Sequence, residues 1–523
     1  MRQLKSYFLA CTLSASATSV FAGGLLTNTN QSIAFNRNFA REATTNIDGV
    51  YSNPAGAAFL KEGFHLSLNF QNIYQKRIIN SGMTVPALAP LKMENPMALG
   101  GGTPEGYKEF VGKAAVPILP SFQAAYNRDK WSFQVGFGIV GGGGKASFDT
   151  GLGSFERPIS LIPALLTANG VPATGYSVSS SMIGQQYIFG LQLGAGYKIN
   201  KSIAVYGGAR FNYVSNKYQG NISNISAVMG GNSVNLYDFA SQKVQEYTQM
   251  ATQAKAAAEQ ATAAANATTN PAEKQKYQTM AQQYAAGAEK ATAGAATMTL
   301  LQGATKDKQL DVTQTGWGIT PIIGFHYKQG KWDIGTRFEF NTHLNIQNNT
   351  KIDNTKQFPP GVNTPSDIPA LWTVGAQYAI LPTLRAMVGY HHFFDKSAKM
   401  ANDKQKLLKS NTQEFLAGME WDITDKITIS AGGQSTRYGL GNGSYLTDLS
   451  FVTSSYSLGF GAEVRVAKNM KLNVAYFFTN YENFKKEYTT TYAVGDKAKF
   501  EANNVDNFTR TNKALGVGLN IEF

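Results

Sequence analysis

The sequence predicts an all-β fold: a closed, antiparallel transmembrane β-barrel of fourteen strands, with an N-terminal plug in its lumen and a helical hairpin in one outer loop. Three observations carry this. Bulky apolar residues alternate with small or polar ones over many short stretches. Short and long links between those stretches alternate along the chain. No apolar run after the N-terminus reaches the ~20 residues of a membrane helix. Composition agrees, because 52 Gly, 31 Phe and 25 Tyr stand beside only 15% charged residues. That balance suits a wall meeting lipid outside and small residues inside. No linker divides the 523 residues into compact halves, so length does not argue for several domains.

The chain opens with Arg2 and Lys5, a short apolar run over Tyr7–Val20 and small residues at Val20-Phe21-Ala22. This reads as a secretory signal peptide over 1–22. Cys11 sits too early for a lipoprotein anchor, and the chain after residue 22 has no cysteine, which suits passage through an oxidising compartment. Residues 23–62 come next, centred on Asn46-Ile47-Asp48-Gly49-Val50-Tyr51-Ser52-Asn53-Pro54-Ala55-Gly56. The stretch is too polar, and too broken by Pro54 and Gly56, for a strand or long helix. Preceding a barrel over 63–523, it is expected inside as a plug.

Alternation defines the wall. Trp131, Phe133, Val135, Phe137 and Ile139 are separated by Ser132, Gln134, Gly136 and Gly138. Tyr187, Phe189, Leu191 and Leu193 repeat the pattern, as do Trp332, Ile334, Phe338 and Phe340, and Leu458, Phe460, Ala462 and Val464. The apolar set is expected on lipid and the small or polar set on the lumen. Short links at 127–130, 200–201, 329–331, 382–383, 424–426 and 467–469 alternate with long ones at 80–115, 141–182, 219–311, 351–367, 396–410, 440–449 and 482–510. Short turns on one rim, taken as periplasmic, and long loops on the other give fourteen strands. The last strand, Leu515 to Phe523, alternates and ends on an aromatic, similar to the signal read by the barrel-assembly machinery. Pairing it with the first strand removes both edges.

Two loops have character of their own. Tyr237–Ala267 and Pro271–Leu301 are rich in Ala, Gln, Lys and Glu, and Asn270 before Pro271 reads as an N-cap with proline at the first helical position. The hairpin over 237–301 is open to three readings: a docking arm, a cap over the entrance, or a variable insertion with no transport role. Leu161, Ile162, Leu165 and Leu166 form an apolar patch with two readings, packing against a neighbouring loop or capture of an apolar ligand.

Several chemistries are excluded. Gly141-Gly142-Gly143-Gly144-Lys145 lacks the ending of a phosphate loop, and His391 and His392 point to opposite faces of a strand, so they cannot chelate a metal together. No catalytic set stands out, so the protein is not expected to be an enzyme, and neither metal nor other cofactor is expected. The charge of +13 is diffuse and lacks nucleic-acid motifs. Anionic lipopolysaccharide is the more fitting neighbour.

The signal peptide, the plug with Asn53-Pro54-Ala55, the fourteen strands and the terminal Phe523 together resemble the long-chain fatty-acid transporter family (FadL/TodX-like). The resemblance covers the chain apart from the helical hairpin, and Asn-Pro-Ala is its most specific part. It implies a monomeric outer-membrane barrel, closed by an N-terminal hatch, that takes up fatty acids or other hydrophobic small molecules and releases them when the hatch rearranges. It also implies a kink in the third strand that opens a side window. Gly136, Gly138 and Gly141 are the local candidates for that kink, since glycine weakens strands; the alternative is that glycines make room for the plug. Arg210, Arg337 and Arg385 face the lumen, as do Glu339, Glu414, Glu420 and Glu463. Arg337 and Arg385 are the candidate partners for a substrate carboxylate; the alternative is that they pair with acids or hold the plug. The expected function is passive, hatch-gated uptake of hydrophobic molecules, such as long-chain fatty acids or aromatic hydrocarbons, across the outer membrane. A nonspecific porin, a lipid-acting barrel enzyme and an adhesin working through the hairpin are its rivals.

Overall fold

Where apolar and small residues alternate, backbone groups facing lipid can be satisfied only by neighbouring strands, and the sheet must close. A computed structural model, describing residues 27–494 and 498–523, has this form. The signal-peptide reading of 1–22, Cys11 included, and residues 23–26 lie outside the described residues.

Fourteen strands make the wall: β1 Gly63–Thr84, β2 Tyr107–Arg128, β3 Trp131–Phe148, β4 Gly175–Lys198, β5 Ile203–Met229, β6 Lys308–Gln329, and β7 Trp332–Glu339 with its outward continuation Asn345–Asp353. They continue as β8 Leu371–Leu381, β9 Leu384–Phe393, β10 Ser410–Thr424, β11 Ile427–Gly439, β12 Ser455–Ala467, β13 Met470–Tyr481 and β14 Ala498–Glu522. Neighbours pair antiparallel, and β14 returns to β1 from His65↔Glu522 to Thr84↔Asn503, closing the barrel. The two faces follow the alternation. Trp131, Phe133, Leu193, Phe460 and Leu515 are exposed, whereas Ser132, Gln134, Gln192 and Asn473 are buried.

Strands run further outward than the link boundaries predict. The link expected over 80–115 is cut to 85–106, and within 482–510 the segment Phe484–Val494 folds back on β14 as a hairpin. Alternation fades once both faces leave lipid, but backbone pairing continues because it still satisfies N–H and C=O groups. The predicted helices form as α5 Leu236–Ala267 and α6 Pro271–Thr305, packed on each other; the Asn270 side chain accepts from the Ala272 amide at 3.0 Å. The shorter helices are α1 Ile33–Arg37, α2 Gly49–Ser52, α3 Gly153–Ser160 and α4 Ile162–Ala168.

Outer loops cover the far end of the lumen with Met400, Leu408, Leu440, Tyr445, Leu446 and Phe451. Asp395 is buried there, in the loop between β9 and β10. Burial pushes its carboxyl up to about 6 from 3.8, against hydrogen bonds from Thr412. The packed loop therefore holds this proton more tightly than the open chain. Its contribution is fully present below 3.8 and is lost as pH rises through about 6. Hydrogen exchange over 395–408, corrected for intrinsic rates, is expected to slow between pH 7.5 and 5 in the parent and to lose this pH dependence in Asp395→Asn. Equal pH dependence in both proteins would assign the effect to another group.

Candidate functional site: the luminal segment and the cavities beside a break in the wall

Residues 27–62 are too irregular to pair as a strand, so their polar groups need partners from elsewhere, and inward-facing residues around the barrel supply them. Arg37 donates to Ser430 at 2.7 Å and Asn473 at 3.2 Å and lies 3.1 Å from Glu420. Arg41 makes ion pairs with Asp48 at 2.7 Å and Glu420 at 2.9 Å. Glu42 lies 2.7 Å from Nε2 of His391, whose Nδ1 is 2.7 Å from Glu414. His391 thus bridges a carboxyl group of the luminal segment and one of the wall. The wall is shaped to match. A side-chain carbon on Gly375 or Gly389 would collide with the Glu42 side chain, on Gly418 with Asn38, and on Gly516 with Ile33.

Asn53, Pro54 and Ala55 each make a distinct contact. The Asn53 amide lies 2.8 Å from both the Thr44 carbonyl and Nδ1 of His326, whose Nε2 is 3.1 Å from Asp333. The Pro54 carbonyl accepts from Gln134 at 2.8 Å, and Ala55 is fully buried against Tyr206 and Ile322. Just before them, the Tyr51 ring lies under two guanidiniums, Arg210 at 5.0 Å and Arg337 at 4.9 Å.

The wall ladder parts between β6 and β7, over 316–321 and 340–346, and more widely between β2 and β3. The β2–β3 ladder pairs 112–114 with 146–148 and resumes only at Phe122↔Phe137, leaving Ala115–Ser121 and Gly138–Lys145 without partners across it. Pro117 and Pro120 lie within the gap and have no N–H to give. Opposite them Gly142 (φ 98°) and Gly144 (φ 70°) take left-handed backbone that side-chain-bearing residues resist. The start of the luminal segment serves the freed carbonyls: the Asn28 amide donates to Val140 at 2.9 Å, Gln31 to Ile139 at 2.9 Å, and Thr27 bridges Gly141. Of the glycines expected to mark a kink, Gly138 and Gly141 lie in the break. Gly136 stays regularly paired with Gln123 and Gln192, under Val50 of the luminal segment.

Three cavities lead from outside to this break. The outermost, of about 200 Å³, is lined by Phe155, Met182, Tyr218, Leu310, Phe358 and Leu449 together with Lys308 and Lys356. The second shares Met182, Tyr218 and Leu449 with it and adds Arg77, Gly143 and Gly144. The third, of about 150 Å³, shares those glycines and lies against Thr27, Asn28, Phe39 and Arg510. Arg77 and Arg510 stand opposite each other across β1 and β14, both buried, and share the Gln75 side-chain oxygen at 3.3 and 2.9 Å. Among the described residues neither has a carboxylate partner, and the Nε of each is buried without an acceptor.

The arginines singled out from sequence are placed differently. Arg337 donates to the Tyr51 carbonyl and lies 3.2 Å from Glu339, which Arg210 also grips at 2.7 Å. Arg385 is paired with Asp422 at 2.7 Å. Both therefore follow the alternative weighed for them, charges already matched by acids and the luminal segment. Leu161 and Leu166 are fully buried, Ile162 nearly so, and Leu165 packs beside them, in clusters with residues of neighbouring loops and strands. This is the packing alternative, and it leaves no open patch for a ligand. Nothing in the sequence singles out Arg77 and Arg510, because they lie near opposite ends of the chain and only the register of β1 with β14 sets them side by side. Pro117 and Pro120, in the middle of an otherwise strand-like stretch, were a legible signal of the break.

Among solved structures, the chain is similar to a Pseudomonas aeruginosa FadL homologue, with a TM-score of 0.55 and 11% identity over 96% of this chain and 100% of that one. It is also similar to a deletion mutant of the monoaromatic hydrocarbon channel TodX, with a TM-score of 0.51 and 11% identity over 94% of this chain and 99% of that one. At such identity the likeness concerns the fold, which is FadL-like. No protein-family model and no curated protein matches the sequence.

Proposed function

We propose that this chain is an outer-membrane channel for passive inward diffusion of hydrophobic molecules, gated by residues 23–62 acting as a hatch. The observation that carries the reading is the row of cavities joining an apolar outer cup to the break between β2 and β3, with the start of the luminal segment lying across that break. A lipophile leaving sideways through the break stays out of water, where exposed apolar surface costs ~25 cal/mol per Å². The paired cations Arg77 and Arg510, and Lys308 and Lys356 in the cup, favour an amphiphile with an acidic head, a long-chain fatty acid ahead of a neutral aromatic hydrocarbon. The signal peptide, assembly through the strand ending at Phe523, and a monomeric barrel belong to the same reading.

The test is uptake of radiolabelled oleate and toluene by cells that lack their own transporter and express either this protein or its Asn53→Ala/Pro54→Ala variant. The parent is expected to take up oleate, and the variant at equal surface level to differ in rate by several-fold. No uptake of either compound by assembled barrels, together with a steady ionic current in single-channel recordings, would replace this reading with a water-filled porin.

A further inference from the structure

The surplus of positive charge is not spread evenly around the barrel. On the lipid-facing side, five lysines fall at one height on neighbouring strands: Lys513 on β14, Lys76 on β1, Lys113 on β2, Lys145 on β3 and Lys217 on β5. The register fixes the row. Lys76 stands directly opposite Lys113, while Lys145 and Lys217 both stand opposite Gln185 of β4. Lys513 faces Tyr74, one outward-facing step below Lys76. All five are exposed or half-exposed, and among the described residues none has an ion-pair partner. Beneath them lies the exposed apolar band, with Phe70 and Tyr74 on β1, Leu191 on β4 and Phe211 and Tyr213 on β5. The row therefore sits where the hydrocarbon of an outer leaflet gives way to headgroups.

Continuing past Lys217, the facing residues are Thr313 and then Asn349. Across the barrel Gln413 faces Arg437, whose charge is met by Glu482. Like charges directly opposite each other in a sheet are destabilising, so Lys76 and Lys113 call for an anion between them. The arc spans five strand spacings, roughly 24 Å at about 4.8 Å each, wider than one phosphodiester headgroup.

We propose that this arc is a docking site for an outer-leaflet glycolipid carrying more than one phosphate, with its phosphates on the lysines and its acyl chains on the apolar band of β14 to β5. The inference rests on the outer-membrane reading above. Lys113 and Lys145 belong to the two strands that bound the break, so the docked lipid lies over its outer end.

The purified full-length protein would be incubated in detergent with bis-phosphorylated lipid A, monophosphorylated lipid A or phosphatidylglycerol, and bound lipid counted by native mass spectrometry. Bis-phosphorylated lipid A is expected to bind best, and Lys76→Gln/Lys113→Gln/Lys145→Gln to lower its occupancy on the order of tenfold. The corresponding Lys→Arg variant should retain binding, as should Lys130→Gln/Lys201→Gln in the short turns of the opposite rim. Raising salt on the parent protein provides a check that needs no variant, since occupancy should fall as screening grows. Unchanged binding in the glutamine variant, or phosphatidylglycerol binding equal to lipid A, would overturn the proposal. Oleate uptake in the same variants separates the two readings: lipid binding without any uptake overturns the channel alone, and uptake without lipid preference overturns the docking site alone.

Discussion

Glu420→Gln is expected to loosen the luminal segment and turn a closed barrel into one that passes ions. Glu420 is buried and receives Arg41 at 2.9 Å and Arg37 at 3.1 Å, both from the luminal segment, with Arg385 of the wall at 3.7 Å. Removing its charge leaves two buried guanidiniums to share Asp48 and Glu463. Breaking a buried pair by removing one partner costs about 3–5 kcal/mol, because the remaining charge stays desolvated. The wall keeps its ladder, since Glu420 retains its backbone pairing with Arg385 and Ser430, and Arg385 retains Asp422 at 2.7 Å. The open fraction in single-channel recordings should therefore rise by roughly two orders of magnitude or more, while the heat-dependent gel shift of the folded barrel stays as in the parent. Glu420→Asp keeps the charge and should lie near the parent. A glutamine variant as tightly closed as the parent would mean that the segment is held elsewhere, with Glu42 and His391 the next pair to test.

The wall was readable because its physics is local. Trp131 to Ile139 declares two faces by alternation within nine residues, and Asn270 before Pro271 marks a helix start from two neighbours. The site was readable only where signals were local too. Pro117 and Pro120 remove ladder donors where β2 parts from β3, and that could have been seen in the sequence. The partners of a lumen-facing charge could not. Arg37 meets Asn473 across 436 residues and Arg41 meets Glu420 across 379, so no spacing rule tells a matched arginine from a free one. The lysine arc was hidden for the same reason. Its members are spread from residue 76 to residue 513, and only the register brings them to one height.

The second large effect is expected at Arg77 and Arg510. Replacing both by leucine should slow oleate uptake by one to two orders of magnitude and leave toluene uptake within about twofold of the parent. A carboxylate moving inward along the cavities gives up water, and an isolated charge in such surroundings is strongly disfavoured unless cations receive it. Each charge-assisted hydrogen bond contributes about 1.5–3 kcal/mol, so the loss of even one accounts for about one to two orders of magnitude, the least that replacing both should bring. Toluene carries no charge and gains nothing from either guanidinium. Arg337→Leu serves as the contrast: its charge is matched by Glu339 and its N–H groups hold the Tyr51 carbonyl, so its loss should disturb the luminal segment and change both uptakes together. Equal slowing of oleate and toluene in the Arg77/Arg510 variant would assign that pair, too, to holding the barrel's contents. Oleate slowed alone would mean that the two arginines remain unmatched by protein carboxylates because an incoming carboxylate is their partner.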